Sequence, residues 1–151
     1  MNWLKLHSIT VFSFGVGLYM LNAELGTGLH WLFGILIVLA SLLTLLQYGP
    51  MAIGWKLSMA HPDLFGPGGD NHEQTLELYD WSIQVTRPYH DKINVVLSLI
   101  ADVILMSGLL AQGWNVLLGM QFVACVIGYA TITSFLTNYH DIYAFVNGSK
   151  A

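Results

Sequence analysis

Residues 93–111 read INVVLSLIADVILMSGLLA, and after a four-residue turn residues 116–137 read VLLGMQFVACVIGYATITSFLT. Each stretch is apolar over about the 20 helical residues that cross a hydrocarbon core. Neither stretch alternates with the period of two that a membrane β-barrel strand needs. The pair therefore predicts a hairpin of transmembrane helices that turns near Gly113.

Two earlier apolar stretches predict a second hairpin, over residues 6–22 and 28–48. We expect the later helix to stop or kink at Gly49-Pro50, because proline has no amide donor and clashes with the preceding turn. The chain is thus predicted to be all-α, a single transmembrane domain over residues 1–151. Its expected architecture is a four-transmembrane-helix bundle of two hairpins with spans at about 6–22, 28–48, 93–111 and 116–137, and a long loop over 49–92.

Composition supports this class, since 55% of the residues are apolar or aromatic and 9% are charged, against about 25% charged in soluble domains. The lipid bilayer is therefore an expected partner. The net charge of −4 and the lack of a basic run argue against nucleic acid as a partner. The single cysteine, Cys125, excludes an intrachain disulfide.

The basic residues predict the orientation of the spans. All five lie in the N-terminus, the central loop or the C-terminus, namely Lys5, Lys56, Arg87, Lys92 and Lys150. An even number of spans places these segments on one side, and the positive-inside rule makes that side cytoplasmic. We therefore expect a multi-pass protein with both termini in the cytoplasm.

The central loop contains the pattern of an amphipathic helix. Asp70 or Asn71 offers an N-cap, and the helical pattern runs to Val85. Its acidic stripe is Glu73, Glu77 and Asp80, and its apolar stripe is Leu76, Tyr79 and Ile83. We expect this helix to lie on the bundle or on the lipid interface.

Histidines gather on the predicted cytoplasmic side. His90 precedes the third span and His140 follows the fourth, each inside a Tyr-His-Asp tripeptide. Their distances from the turn place them at depths that differ by only about 6 Å, at about 1.5 Å per helical residue. A candidate metal site therefore comprises His7, His61, His72, His90, His140, Asp91 and Asp141.

Imidazoles with nearby carboxylates ligate transition metals, and imidazole pairs on facing helices bind haem b. The first functional hypothesis is therefore a redox or enzyme component at the cytoplasmic face that acts on a membrane-soluble substrate such as a quinone or lipid. The alternative interpretations are a set of ordinary interfacial histidines, and histidines that handle protons or contact a substrate.

Asp102 is the one charged residue inside a predicted span. A carboxylate at that depth is costly, so Asp102 should face the bundle interior and have polar partners or be protonated. Ser13, Ser41, Cys125 and Tyr129 lie at similar depths. Asp102 is thus the candidate catalytic residue of a second hypothesis, a transporter or channel component that moves protons or cations; the alternative is a polar link between helices or subunits.

The remaining small residues, including Gly15, Gly17, Gly34, Gly119 and Gly128, predict close helix packing. A 16.7 kDa bundle with little extramembrane mass also suggests a homo-oligomer or a subunit of a larger membrane complex. A structural subunit without chemistry of its own is the third hypothesis.

His30, Gly34 and Gln47 on the second span, with Arg87-Pro88-Tyr89-His90 before the third, resemble positions in cytochrome b561-type haem proteins. The resemblance covers about a third of the chain. It would imply a bundle that holds two haems through four span histidines. The second span has no histidine at its cytoplasmic end and the fourth has none at its outer end, so we do not assign the chain to that family.

Overall fold

The computed structural model describes residues 8–22 and 28–148. These ranges form seven α-helices and one 3-10 turn, and they contain no strand. The helices are α1 (Ser8–Asn22), α2 (Gly28–Ala60), α3 (Pro62–Phe65), α4 (His72–Thr86), α5 (Lys92–Ala111), α6 (Asn115–Thr137) and α7 (Tyr139–Asn147), with the 3-10 turn at Arg87–His90 between α4 and α5.

Three of these helices are long and apolar enough to cross a membrane: α2 from Trp31, α5 and α6. The all-α prediction is confirmed, and the third and fourth predicted spans match α5 and α6 closely. The first predicted span corresponds to α1, of which the structure describes 15 residues. These 15 described residues extend over about 22 Å.

The helix does not stop at Gly49-Pro50, the first of the two outcomes expected there, because α2 continues through Pro50 to Ala60. Proline removes one amide donor, which costs the carbonyl of Leu46 its helical partner. On both sides of Pro50 the helix buries large side chains, including Tyr48 and Met51, and this packing favours the helical backbone. The 33 residues of α2 extend over about 50 Å, well beyond one hydrocarbon core.

The chain divides into two compact units. The first unit comprises the chain up to Leu45 together with Asp91–Val126, and the second comprises Leu46–His90 together with the chain from Ile127 onward. The long helices α2 and α6 therefore contribute to both units, whereas α1 and α5 belong to the first and α4 and α7 to the second.

The first unit depends on a close crossing of α1 and α5. A Cβ atom at Gly17 would lie 2.7 Å from the backbone nitrogen of Leu105, and one at Gly108 would lie 2.9 Å from the carbonyl oxygen of Gly17. No side chain fits there, so glycine lets the two backbones touch. The prediction of close packing holds at Gly17, but added Cβ atoms at Gly15 and Gly119 would meet nothing within 4 Å.

The second unit has an aromatic core. Its buried side chains are Tyr48, Met51, Trp55, Tyr79, Ile132, Phe135, Ile142 and Val146. The last two come from α7, a helix that the sequence analysis missed. Its signals are the apolar pair one turn apart and Gly148, which ends the helix with a positive φ of 66°.

The predicted loop helix is confirmed as α4, which begins after Asn71 as expected. Its buried face differs from the prediction in composition. Tyr79 is buried, but the remaining buried residues are Thr75, Ser82 and Thr86, whereas Leu76 is 41% exposed. Hydroxyl side chains occupy this face because each one has a hydrogen-bond acceptor or donor within the unit.

Candidate functional site

Four polar side chains meet among the apolar helices of the first unit. Asp102 lies at the middle of α5, Ser41 lies on α2, and Gln121 and Cys125 lie one turn apart on α6. Ser41 and Gln121 are buried, and the other two are half-buried. We call these four residues the polar centre.

The carboxamide of Gln121 connects the polar centre. Its oxygen accepts a hydrogen bond of 2.8 Å from the Ser41 hydroxyl. Its nitrogen, which carries two hydrogens, donates to the Asp102 carboxyl at 3.4 Å and to the Cys125 sulfur at 3.4 Å. Cys125 and Asp102 also share a side-chain hydrogen bond. One residue thereby links polar groups from α2, α5 and α6.

The bonds that Gln121 makes to Ser41 and to Asp102 differ in strength. The Ser41 bond has the length of a strong hydrogen bond, whereas 3.4 Å from nitrogen to the Asp102 oxygen exceeds the usual 2.9–3.0 Å. Gln121 is thus held firmly from one side and contacts Asp102 loosely on the other.

The sequence places no basic residue near this depth of the three helices. Lys92 starts α5, and Lys56 lies in the part of α2 that belongs to the second unit. The groups that surround Asp102 in the polar centre are therefore neutral dipoles. Such groups stabilise a carboxylate less than a cation does.

Part of this cluster is predicted by the sequence. Ser41 and Cys125 join Asp102 through Gln121, which was not predicted, although a glutamine four residues before Cys125 in an apolar stretch is a visible signal. Ser13 is buried on α1. Tyr129 belongs to the second unit, where its ring lies edge-on to that of Tyr89 with centroids 6.4 Å apart.

The candidate histidine ligands occupy the ends of short elements in the second unit. His61 precedes α3, His90 ends the 3-10 turn, and His140 lies in the first turn of α7; all three are exposed. His72 starts α4, and its Nδ1 lies 3.4 Å from the backbone oxygen of Phe65. His7 lies outside the described residues.

The two candidate carboxylates also lie at helix starts. Asp91 is the N-cap of α5, where its carboxylate accepts a 2.9 Å hydrogen bond from the backbone amide of Ile93. Asp141 lies in the first turn of α7, where an acidic side chain favours the helix dipole. Across residues 8–22 and 28–148, no three His, Cys, Asp or Glu side chains are placed to hold one metal ion.

A hydrogen-bonded aromatic cluster organises the second unit. The indole nitrogen of Trp55 donates to the Ser82 hydroxyl at 2.9 Å, and the hydroxyl of Tyr79 donates to that of Tyr139 at 3.1 Å. Burial, followed by the hydrogen bond that Tyr79 donates to Tyr139, raises the pKa of Tyr79. These contacts hold α4 against α2 and α7.

The second unit also contains an open cavity of about 330 Å³. Ala52, Trp55, Lys56 and Met59 line it from one face of α2. Ala130, Thr131, Ser134, Phe135 and Asn138 line it from α6 and the residue after it, and Ile142 lines it from α7. Its wall combines aromatic and aliphatic surface with one cation and no carboxylate.

Comparisons of the chain with protein-family models, with curated proteins and with solved structures found no match. Within the described residues, the candidate functional sites are the polar centre of the first unit and the cavity of the second. The polar centre brings together a carboxyl, a thiol, a carboxamide and a hydroxyl, of which the carboxyl and the thiol are the ionisable groups.

Proposed function

We propose that this chain is a multi-pass membrane protein that moves protons or small cations, with Asp102 as the group that loads and releases them. The observation that carries the proposal is the hydrogen-bonded placement of Asp102 at the middle of α5, a helix long and apolar enough to cross a membrane. Ionisable residues inside apolar spans are costly, and they commonly mark ion or proton pathways.

The proposed topology has four spans formed by α1, α2, α5 and α6. Both termini and the segment between α2 and α5 lie on the cytoplasmic side, where the basic residues are found. Asp102 is half-buried. In this arrangement the exposed part of its side chain faces a second copy of the chain or another subunit of a membrane complex. An assembly of this kind would enclose the carboxyl and keep it away from lipid.

The polar centre supplies neutral partners for both states of the carboxyl. Gln121 donates a hydrogen bond that favours the carboxylate, and this bond is long in the described structure. The protonated carboxyl can instead donate its own proton to a neighbouring acceptor. In this proposal a small rotation of the Asp102 side chain changes it from a carboxylate that accepts from Gln121 to a carboxyl that donates its proton. Ser41 keeps Gln121 in place during this change.

Reconstitution into liposomes tests this proposal. A dye trapped inside the liposomes reports proton entry under an imposed gradient, and a potassium gradient with a cation-sensitive dye covers the second class of ion. We expect Asp102→Asn, which keeps the shape but cannot ionise, to reduce flux by about a hundredfold or more, as is typical when a single proton-transferring group is lost.

Asp80→Asn is the matched control, because this substitution makes the same chemical change at an exposed position of α4. It should leave flux within about twofold of the wild type, since isolated surface charges contribute little. Unchanged flux in Asp102→Asn together with reduced stability would instead identify Asp102 as a polar link between helices.

A further inference from the structure

The cavity of the second unit has the chemistry of a site for an amphipathic anion. Its lining residues on α2 follow the spacing of one helix face, and those on α6 do the same. Two helix faces therefore enclose the space as a furrow that is open on one side. Its volume lies at the lower end of the range of about 300–1,000 Å³ for small-molecule sites.

The wall of the furrow is divided by polarity. Trp55 and Phe135 are buried, with ring centroids 5.9 Å apart, and they form an apolar floor. Lys56 and Ser134 are exposed and border the opening. A ligand with an apolar body and a negatively charged end matches this division, because the body removes aromatic surface from water and the charge meets the ammonium group.

The position of the furrow along the helices indicates where such a ligand comes from. Its α6 lining continues from Ala130 past Thr137, where that apolar helix ends. The α2 lining begins at Ala52, beyond the first 20 residues or so of α2, which already span a hydrocarbon core. The furrow thus lies at the level at which acyl chains meet headgroups.

We propose that this furrow binds an anionic glycerophospholipid of the surrounding bilayer, with the phosphate-bearing headgroup at Lys56 and the start of one acyl chain against Trp55 and Phe135. The cavity is too small for both acyl chains, so the rest of the lipid stays in the bilayer. The inference uses the proposed membrane insertion, but it does not depend on the proposed role of Asp102.

Native mass spectrometry of the delipidated full-length protein in neutral detergent tests the site. The probes are phosphatidylglycerol, phosphatidylcholine and inorganic phosphate, each titrated separately. We expect phosphatidylglycerol to bind at least about tenfold more tightly than phosphatidylcholine. A charge-assisted contact between Lys56 and a headgroup with a net negative charge is strong enough to account for a tenfold difference in affinity.

Lys56→Gln should remove this preference, and Ala52→Leu should weaken binding of both lipids by filling the furrow. Lys56→Arg should keep the preference because the positive charge remains. Lys92→Gln is the matched control, since Lys92 is also exposed but does not line the cavity. Its affinity for phosphatidylglycerol should stay within about twofold of the wild type, because Lys92 does not line the furrow and an exposed charge that makes no contact contributes little.

Equal binding of both lipids, or equal losses in Lys56→Gln and Lys92→Gln, would overturn the proposal. Lys56-dependent binding of inorganic phosphate without binding of phosphatidylglycerol would assign the site to a soluble anion and would also overturn it. Failure of membrane insertion has a different readout, namely a protein that stays folded and dispersed without detergent.

Discussion

The carboxamide nitrogen of Gln121 lies 3.4 Å from the carboxyl of Asp102, while the oxygen of the same carboxamide accepts a 2.8 Å hydrogen bond from Ser41. Gln121→Leu keeps about the same bulk but removes both contacts. We expect the variant to lose about 1 kcal/mol of unfolding free energy, as for interhelical hydrogen bonds in membranes. Flux per folded protein should also fall, which a purely structural role does not predict.

Gln84→Leu is the control for that substitution, because Gln84 is exposed on α4. Stability can be measured by titration with a denaturing detergent, and flux by the liposome assay. A Gln121→Leu variant with full flux and reduced stability would limit the glutamine to helix packing.

The backbone contact between α1 and α5 predicts a sharp difference between two glycines of one helix. Gly17→Ala places a Cβ atom 2.7 Å from the Leu105 backbone nitrogen. The helices must then separate, at a cost of about 1–3 kcal/mol typical of overpacking. Gly15→Ala meets nothing within 4 Å and should leave thermal stability in detergent unchanged or slightly higher. Equal effects of the two substitutions would show that α1 does not cross α5 at Gly17.

Ser82→Ala tests the packing of α4 in the second unit. The substitution leaves the buried indole nitrogen of Trp55 without its 2.9 Å acceptor. An unsatisfied buried donor costs about 1–3 kcal/mol, so the thermal midpoint should fall. Ser134→Ala removes an exposed hydroxyl of the same unit and should have little effect. Similar midpoints for both variants would contradict the assigned Trp55 contact.

Tyr79 predicts a loss of stability at alkaline pH. Burial raises its pKa above the ordinary value of 10.0. Above about pH 10 the unfolded chain therefore releases the phenolic proton while the folded chain keeps it. The free energy of unfolding should fall with rising pH in this range, and less steeply in Tyr79→Phe than in the wild type. Tyr143→Phe, which changes a half-exposed ring, should retain the wild-type slope.

The sequence predicted the helices far better than the site. Apolar length identified α2, α5 and α6, and the N-cap pattern before His72 located α4. The end of α2 was misplaced because the local penalty of Pro50 is weaker than the packing of Tyr48 and Met51 around it. Gln121 was missed because pairing across helices depends on their rotation, which a single sequence does not specify.

The histidine hypothesis stays a prediction with its own measurement. A metal or haem at the cytoplasmic face predicts stoichiometric metal by elemental analysis, or a haem absorption band, in the purified protein. His90→Ala with His140→Ala should then remove that signal, whereas His30→Ala should not. No metal, no band and unchanged function in the double variant would eliminate the redox role.

The central claim is that Asp102 changes its ionisation state inside the first unit, because loading and release of a proton interconvert its carboxylate and carboxyl forms. Infrared difference spectroscopy of the reconstituted protein between acidic and alkaline buffer measures this change directly. We predict a reversible carboxyl band that is absent in Asp102→Asn and retained in Asp80→Asn. Identical difference spectra for Asp102→Asn and the wild type would contradict the proposed function.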